Sequence, residues 1–162
     1  GVSNHSTWRV EQARMLAAEQ GVEPFTALQL TTSYVRPRPD TQVPGKDHRF
    51  GFVSDETIGY LETHDDLECW AYSPLIQGAY DRDDRPLPEV YDHPGTTRRL
   101  SALRSVADEL GAQPGQVVLS WLVQGSPSMR PIVGASSLEQ LDAALAAPKL
   151  SDAHMARLDS AR

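Results

Sequence analysis

Two stretches of this chain have the residue types that let a backbone close around an anion. One is Pro131-Ile-Val-Gly-Ala-Ser-Ser-Leu-Glu-Gln-Leu141, a short apolar run, a turn of small residues and then a helical pattern. The other, about sixty residues earlier, is Ala71-Tyr-Ser-Pro-Leu-Ile-Gln-Gly78, a second strand-to-loop junction of the same kind. Small residues allow close approach to a phosphate, and a following helix N-terminus offers free N–H groups and partial positive charge. The chemistry implied is nucleotide binding. Read one at a time, the residues keep plainer alternatives. Ser136 is an N-cap or a ligand, and Tyr72 a core ring or a stacking platform. Asn4 is a turn residue or a ligand, and Gln29 an inward amide that needs a partner when buried.

The elements that must position these junctions alternate along the chain. Ser6 or Thr7 can cap a helix running to about Gln20, closed by Gly21. Thr26–Leu30 reads as a strand, followed by a polar loop rich in Pro and Arg that reaches about Val53. Ser54 opens a short helix with Asp55 and Glu56 in its first turn, where negative charge is favoured. Leu67–Tyr72 is the next strand, and a second long loop runs from Gly78 to about Thr97. Leu100, Leu103, Val106, Ala107 and Leu110 step by three and four residues, an amphipathic helix ended by Gly111. Pro114 starts another helix with Val117, Val118, Trp121 and Leu122 on one face. Pro131–Val133 is the last strand. Ser136 with Glu139 reads as a capping box for a helix through about Ala147, and Ser151 caps a closing helix with Met155 and Leu158 inward. Strand and helix in alternation imply right-handed βαβ crossovers and a parallel sheet. Four units are expected, where a closed (β/α)8 barrel takes eight and about 250 residues.

Bulk properties narrow the function classes. The 162 residues are 40% apolar and 23% charged, with a formal charge of −7 and scattered basic residues, which argues against a nucleic-acid surface. Arg98 and Arg99 at a helix start read as ordinary solvated charges. No apolar run approaches the roughly 20 residues of a membrane span, and Gly1–His5 shows no signal-peptide pattern and reads like the end of a strand. Cys69 is the one cysteine, so neither a disulfide framework nor a thiolate metal site is expected, and a buried reduced thiol fits a cytoplasmic setting. His5, His48, His64, His93 and His154 lack metal-site spacing, and only two lysines occur, Lys46 and Lys149. No P-loop, Gly-x-Ser-x-Gly or Gly-x-Gly-x-x-Gly motif is present.

Taken in order and spacing, these motifs resemble the C-terminal half of an aldo-keto reductase, over nearly the whole chain. Gly1-Val-Ser-Asn4 is similar to the end of that family's fifth strand, Ala27–Leu30 to the sixth, Ala71–Leu75 to the seventh and Pro131–Ser136 to the eighth. Gln116–Leu122 and Leu150–Leu158 match its linking helices. The resemblance implies one α/β domain over 1–162, units five to eight of a TIM barrel, with long loops at 35–53 and 78–97. It implies an NADP site, with NAD left open. Ser3, Asn4 and Gln29 would bond the nicotinamide carboxamide and Tyr72 would stack on its ring. Ser73, Leu75, Gln77 and Gly78 would line the pyrophosphate, and Gly134, Ser136, Ser137 and Gln140 would face the adenosine ribose and its 2′-phosphate. Arg36, Arg38, Arg82, Arg85 and His93, on the two loops, are further candidates for substrate or cofactor contacts.

The chain departs from the family pattern in two ways. Ala143 and Ala144 stand where a Glu-Asn pair usually meets adenine, and Gln140 is neutral where a basic residue often meets the 2′-phosphate. The larger departure is that nothing here resembles the first four units, which carry the catalytic Tyr with its Asp, Lys and His. The expected role is therefore the cofactor-binding half of a reductase of a small carbonyl compound, inactive alone. The alternative is a non-catalytic nucleotide-binding or scaffolding half-barrel that works through a partner chain. An isolated half leaves apolar side chains wet and sheet edges open. An N-terminal half-barrel or a second copy is thus the expected protein partner, with some of Leu28, Leu30, Trp70, Ile132 and Val133 pointing into the missing half.

Overall fold

The computed structural model describes residues 1–38 and 51–161. Most of the first long loop, with Lys46 and His48, lies outside the described residues. The elements, in chain order, are β1 (Val2–Ser3), α1 (Thr7–Gln20), β2 (Ala27–Thr31), α2 (Asp55–Glu62), β3 (Glu68–Tyr72), α3 (Pro94–Leu110), α4 (Pro114–Gln124), β4 (Met129–Ile132), α5 (Leu138–Leu145) and α6 (Asp152–Ser160). The four strands form one sheet in the order β1-β2-β3-β4, every pairing parallel. This is the α/β arrangement the alternating pattern predicts.

Register explains which side chains face where. Leu28 lies level with Cys69 and Met129, and Leu30 with Ala71. All five are buried. They meet Val106, Val117, Val118, Leu122 and Leu158 in one core beneath the helices. The alternate set points the other way: Ser3, Gln29, Trp70 and Arg130 share one level, and Tyr72 and Ile132 another. Trp70 remains 39% exposed and Ile132 37%. Leu28 and Leu30 therefore serve the helix side, while Trp70 and Ile132 occupy the open face. The helices flanking the two edges are also apolar outside: Trp8 and Leu16 on α1 are exposed, as are Leu138 and Leu145 on α5, the last two at 79% and 76%.

Several boundaries differ from the sequence reading, each for a local reason. The helix expected from about Leu100 begins at Pro94, because proline at N1 needs no hydrogen bond and starts a polar first turn. The loop 78–97 is thus shorter; a 3₁₀ turn, Ile76–Gly78, leads into it and a second, Glu89–Tyr91, lies within it. Asp81 in this loop accepts from Gly115 N–H at 2.8 Å, tying the loop to the first turn of α4. Ser6 occupies the N-cap position of α1 without a side-chain cap bond, and its buried Oγ has no partner. Thr7 instead donates to Glu56 of α2. Ser137, not Ser136, caps α5 by accepting from Gln140 N–H at 3.2 Å. The closing helix behaves as expected: Ser151 caps it with His154 in a capping box, and Leu158 is fully buried.

Cys69 is 2% exposed, and burial pushes its thiol up to about 12. The thiolate is the reactive form. Ellman's reagent at pH 8 is therefore expected to leave the native chain unlabelled and to label one thiol on unfolding. Rapid labelling of the folded chain would contradict this packing. The free thiol in the unfolded chain ionises near about 8.5, so the folded state binds the proton more tightly. Its contribution to stability is complete below that pH and is lost as pH rises toward 12.

Candidate functional site

The predicted site residues collect at the carboxyl ends of the parallel strands. Ser3 ends β1 and Asn4 follows it, with Asn4 N–H donating to Gln29 C=O at 3.1 Å. Ser3 Oγ donates to Gln29 Oε1 at 3.3 Å across the β1–β2 pair. Tyr72, the last residue of β3, reaches back over β2 and donates its hydroxyl to Asn4 Oδ1 at 2.8 Å. Ser3, Asn4, Gln29 and Tyr72 thus form one hydrogen-bonded group across three strands. All four are half-buried, so they are ordered but remain accessible.

Backbone conformation singles out the same end of the sheet. Positive φ occurs at Asn4 (59°), Ser73 (54°), Ile76 (48°), Gln77 (58°) and Gly78 (88°). Only Gly78 takes this region without steric cost, and a β-branched residue such as Ile76 is a true outlier. Left-handed conformation costs a non-glycine residue on the order of 1–2 kcal/mol, and such strain concentrates at ligand sites. Leu75 packs its side chain against the core, so only its backbone faces the turn. Ser73 and Gln77 are exposed.

What holds this turn is a chain of hydroxyls that no local pattern announces. Ser33 Oγ lies 2.5 Å from Pro74 C=O and 2.6 Å from the Tyr80 hydroxyl. A carbonyl only accepts, so Ser33 donates to Pro74 and Tyr80 donates to Ser33. Val35 N–H in turn donates to the Tyr80 oxygen at 3.0 Å. Desolvation raises the Tyr80 pKa well above that of a free phenol, which keeps it a donor. Tyr80→Phe strands Val35 N–H and removes the donor to Ser33. It is expected to cost about 1–3 kcal/mol in urea unfolding, and a loss within about 0.3 kcal/mol would show that the network is not structural.

At the end of β4, Gly134, Ser136, Ser137 and Gln140 lie together and exposed. Gln140 Oε1 accepts from Ser136 N–H at 2.8 Å and from Ser136 Oγ at 3.0 Å, while Gln140 N–H goes to Ser137. This closes a small polar turn on the first turn of α5. Because β4 pairs with β3, with Ile132 level with Tyr72, the two small-residue turns emerge side by side.

Four of the five candidate loop residues have side-chain partners; Arg85, exposed, has only its backbone N–H bonded, to Arg82 C=O at 3.2 Å. Arg36 pairs with Asp55 at 2.6 Å, Arg38 with Glu89 at 3.3 Å and Arg82 with Asp84 at 2.6 Å. His93 donates through Nε2 to Arg36 C=O at 2.8 Å. These contacts engage Arg36, Arg38, Arg82 and His93 in organising the loops. Among the described residues, no group of three or more His, Cys, Asp or Glu could hold a metal ion, and no helix is long and apolar enough to cross a membrane.

A four-stranded parallel sheet with polar turns at its carboxyl edge is common to many folds, and comparison with known proteins decides among them. The model of the Aldo/keto reductase family matches residues 1–162. The chain belongs to the aldo/keto reductase family. It is similar to an uncharacterized oxidoreductase of Mycobacterium tuberculosis, 38% identical over 89 residues, which are 48% of this chain and 27% of that protein. It is also 47% identical over 55 residues to the pyridoxine 4-dehydrogenase of Escherichia coli, covering 34% of this chain and 19% of that enzyme. A solved thermostable aldo-keto reductase, in complex with the inhibitor epalrestat, superposes on all of this chain with a TM-score of 0.66 and 25% identity. The chain covers 47% of that structure, and its matches span about a quarter or less of the curated relatives' lengths. This aldo/keto reductase chain is therefore an α/β sheet corresponding to about half of a TIM barrel, from a family of oxidoreductases that generally bind NAD(P)H.

Proposed function

We propose that this chain is the C-terminal, cofactor-gripping half of an NADP(H)-dependent aldo-keto reductase acting on an aldehyde or ketone. It is inactive until four further β/α units supply the Tyr/Asp/Lys/His group. The observation that carries the reading is the clustering of left-handed Asn4, Ser73, Ile76 and Gln77 at the carboxyl ends of β1 and β3, the face where TIM-barrel sites lie.

The donor set fits the cofactor. Asn4 and Gln29 have their amide oxygens engaged by Tyr72 and Ser3, which leaves two amide NH2 groups for a carboxamide. The Ser73–Gly78 turn, braced through Ser33 and Tyr80, would hold the pyrophosphate, and Gly134, Ser136, Ser137 and Gln140 the phosphorylated ribose. Bound there, the cofactor supplies a hydride to the carbonyl carbon, and an acid on the other half supplies the proton to the oxygen. The residues of this chain bind and orient. NADP is preferred over NAD on family grounds, and Cys69, buried and reduced, supports a cytoplasmic setting.

The closing partner is the N-terminal half-barrel, on the same polypeptide or another. The open face bearing Trp70 and Ile132 and the exposed apolar flanks of α1 and α5 support it. No nucleic-acid or membrane partner enters this reading. The second reading, a non-catalytic nucleotide-binding module, draws support from Ala143 and Ala144, which cannot bond adenine through their side chains. The chain should be titrated with NADPH by fluorescence, then joined to the first four units of a solved aldo-keto reductase and assayed with a small aldehyde. Binding by the chain and NADPH-dependent reduction only in the joined barrel are expected. A folded, NADPH-binding but inert barrel favours the second reading, and absence of NADPH binding in both forms rejects both.

A further inference from the structure

We propose that the cleft between the loop after Gly78 and α3 is a second binding site, which takes a small organic carboxylate with a short apolar body. The cavity has a volume of about 230 Å³, below the roughly 300 Å³ at which sites for drug-sized molecules begin. Its occupant is therefore small. Leu87 of the loop and Leu100 and Leu103 of α3 give it apolar walls, and Pro114 in the first turn of α4 also lines it. Leu103 is buried at 1% exposure, while Leu87 and Leu100 are half-buried. None of the residues at the ends of β1 and β2, in the Ser73–Gly78 turn or in the turn after β4 lines this cavity. The site is separate from the cofactor reading and does not depend on it.

The charged lining residues are Arg82, Arg85, Arg104 and one acid, Asp83, a local cationic excess on a chain whose formal charge is −7. Arg82 is already engaged by Asp84, to which Nε donates at 2.9 Å and Nη2 at 2.6 Å. Arg85 acts on that carboxylate only at a distance. Arg85 and Arg104 are exposed, and among the described residues neither guanidinium has a hydrogen bond or an ion pair. A guanidinium is a planar fork of N–H donors that matches a carboxylate two bonds at a time. The cleft therefore joins an apolar floor to a rim with two unengaged forks. A bare ion meets only the rim, and an uncharged chain gains only from burial on the floor. A molecule with both parts gains from both. Asp83 repels a second negative charge at the same rim, which favours a singly charged carboxylate over a phosphate dianion.

The test is titration with hexanoate, followed by backbone amide and arginine Nε–H NMR signals. It is run on the chain and on the barrel joined to the first four units of a solved aldo-keto reductase, since every wall belongs to this chain. A Kd near about 1 mM is expected, at the weak end of the affinity scale, with shifts at Leu87, Leu100 and Arg104 and none at Gly134. Arg85→Gln and Arg104→Gln should each weaken binding about tenfold, the worth of one hydrogen bond to a charged group. Asp83→Asn should strengthen it about two- to threefold by removing a like charge from an exposed rim. All three positions are on the surface, where substitution leaves folding intact. Acetate binding as tightly as hexanoate would reduce the cleft to a cationic patch, and hexanol doing so would reduce it to an apolar groove; either result overturns the proposal. So does the absence of shifts at about 10 mM hexanoate, or a loss of less than about twofold in both arginine variants. Displacement of hexanoate by NADPH would make the cleft part of the cofactor site and overturn its assignment as a second one.

Discussion

Tyr34→Ala is expected to destabilise the chain by about 3–5 kcal/mol, as a large buried aromatic does when truncated. The residue begins the first long loop yet is fully buried, the largest such side chain among the described residues. Four contacts converge on it. Its hydroxyl donates to Leu158 C=O of α6 at 2.9 Å. Trp121 of α4 meets the ring edge-on at 5.2 Å between centroids. Arg99 of α3 lies over the ring at 5.3 Å and donates to the Tyr34 C=O at 2.9 Å. One side chain thus joins α3, α4 and α6. Tyr34→Phe keeps the ring contacts and orphans the Leu158 carbonyl, so about 1–2 kcal/mol is expected. Burial pushes the phenol up to about 12, against about 10 in the unfolded chain. Because the folded value is raised, the protonated phenol's contribution is whole below pH 10 and fades as pH climbs to 12. Tyr34→Phe should therefore flatten part of the alkaline decline in melting temperature as well as lower the melt at pH 7. A Phe variant with an unchanged neutral melt and unchanged alkaline slope would show that α6 is not held through this hydroxyl.

The same residue shows where sequence patterns stop. The parallel sheet and its helices were readable because apolar period and caps are local signals: Gly21 and Gly111 close helices in left-handed conformation, at φ 65° and 60°. The polar turns after β3 and β4 were readable for the same reason. Tyr34, Arg99, Ser33 and Tyr80 were not. Their partners lie between 41 and 124 residues away, and Arg99, expected among solvated charges, is 8% exposed. Consecutive serines made the α5 cap ambiguous, since Ser136 has Glu139 and Ser137 has Gln140 three residues on. Geometry selected the second pair, and Gln140 then turned its oxygen back to Ser136. Pairing of the site residues into a bonded group was equally invisible. The sequence marks Asn4 and Tyr72 as candidates, but only the β1–β2–β3 register brings positions 68 apart within 2.8 Å.

The open face supplies the second large effect, and it separates the free chain from the closed barrel. Glu68 on β3 pairs with Arg130 on β4 at 2.7 Å and accepts from the Trp70 indole N–H at 3.1 Å. In the chain alone the pair is solvated, with side chains 47% and 62% exposed. An exposed pair of this kind contributes about 0–1 kcal/mol. Arg130→Ala should therefore leave the melt of the chain nearly unchanged. Closure by four further units would put this layer inside a barrel, where side chains fill the interior. Removing one partner of a buried pair costs about 3–5 kcal/mol, because the remaining charge is left without compensation. The same substitution should then weaken association with the complementing half by roughly 150- to 4,000-fold. Trp70, next to the pair, reports closure through a blue shift of its emission. Glu68→Gln with Arg130→Ala removes the stranded charge and should recover much of the loss. An Arg130→Ala chain that associates as tightly as the unsubstituted one, with the same shift in Trp70 emission, would mean that this face stays wet and that the partner docks elsewhere.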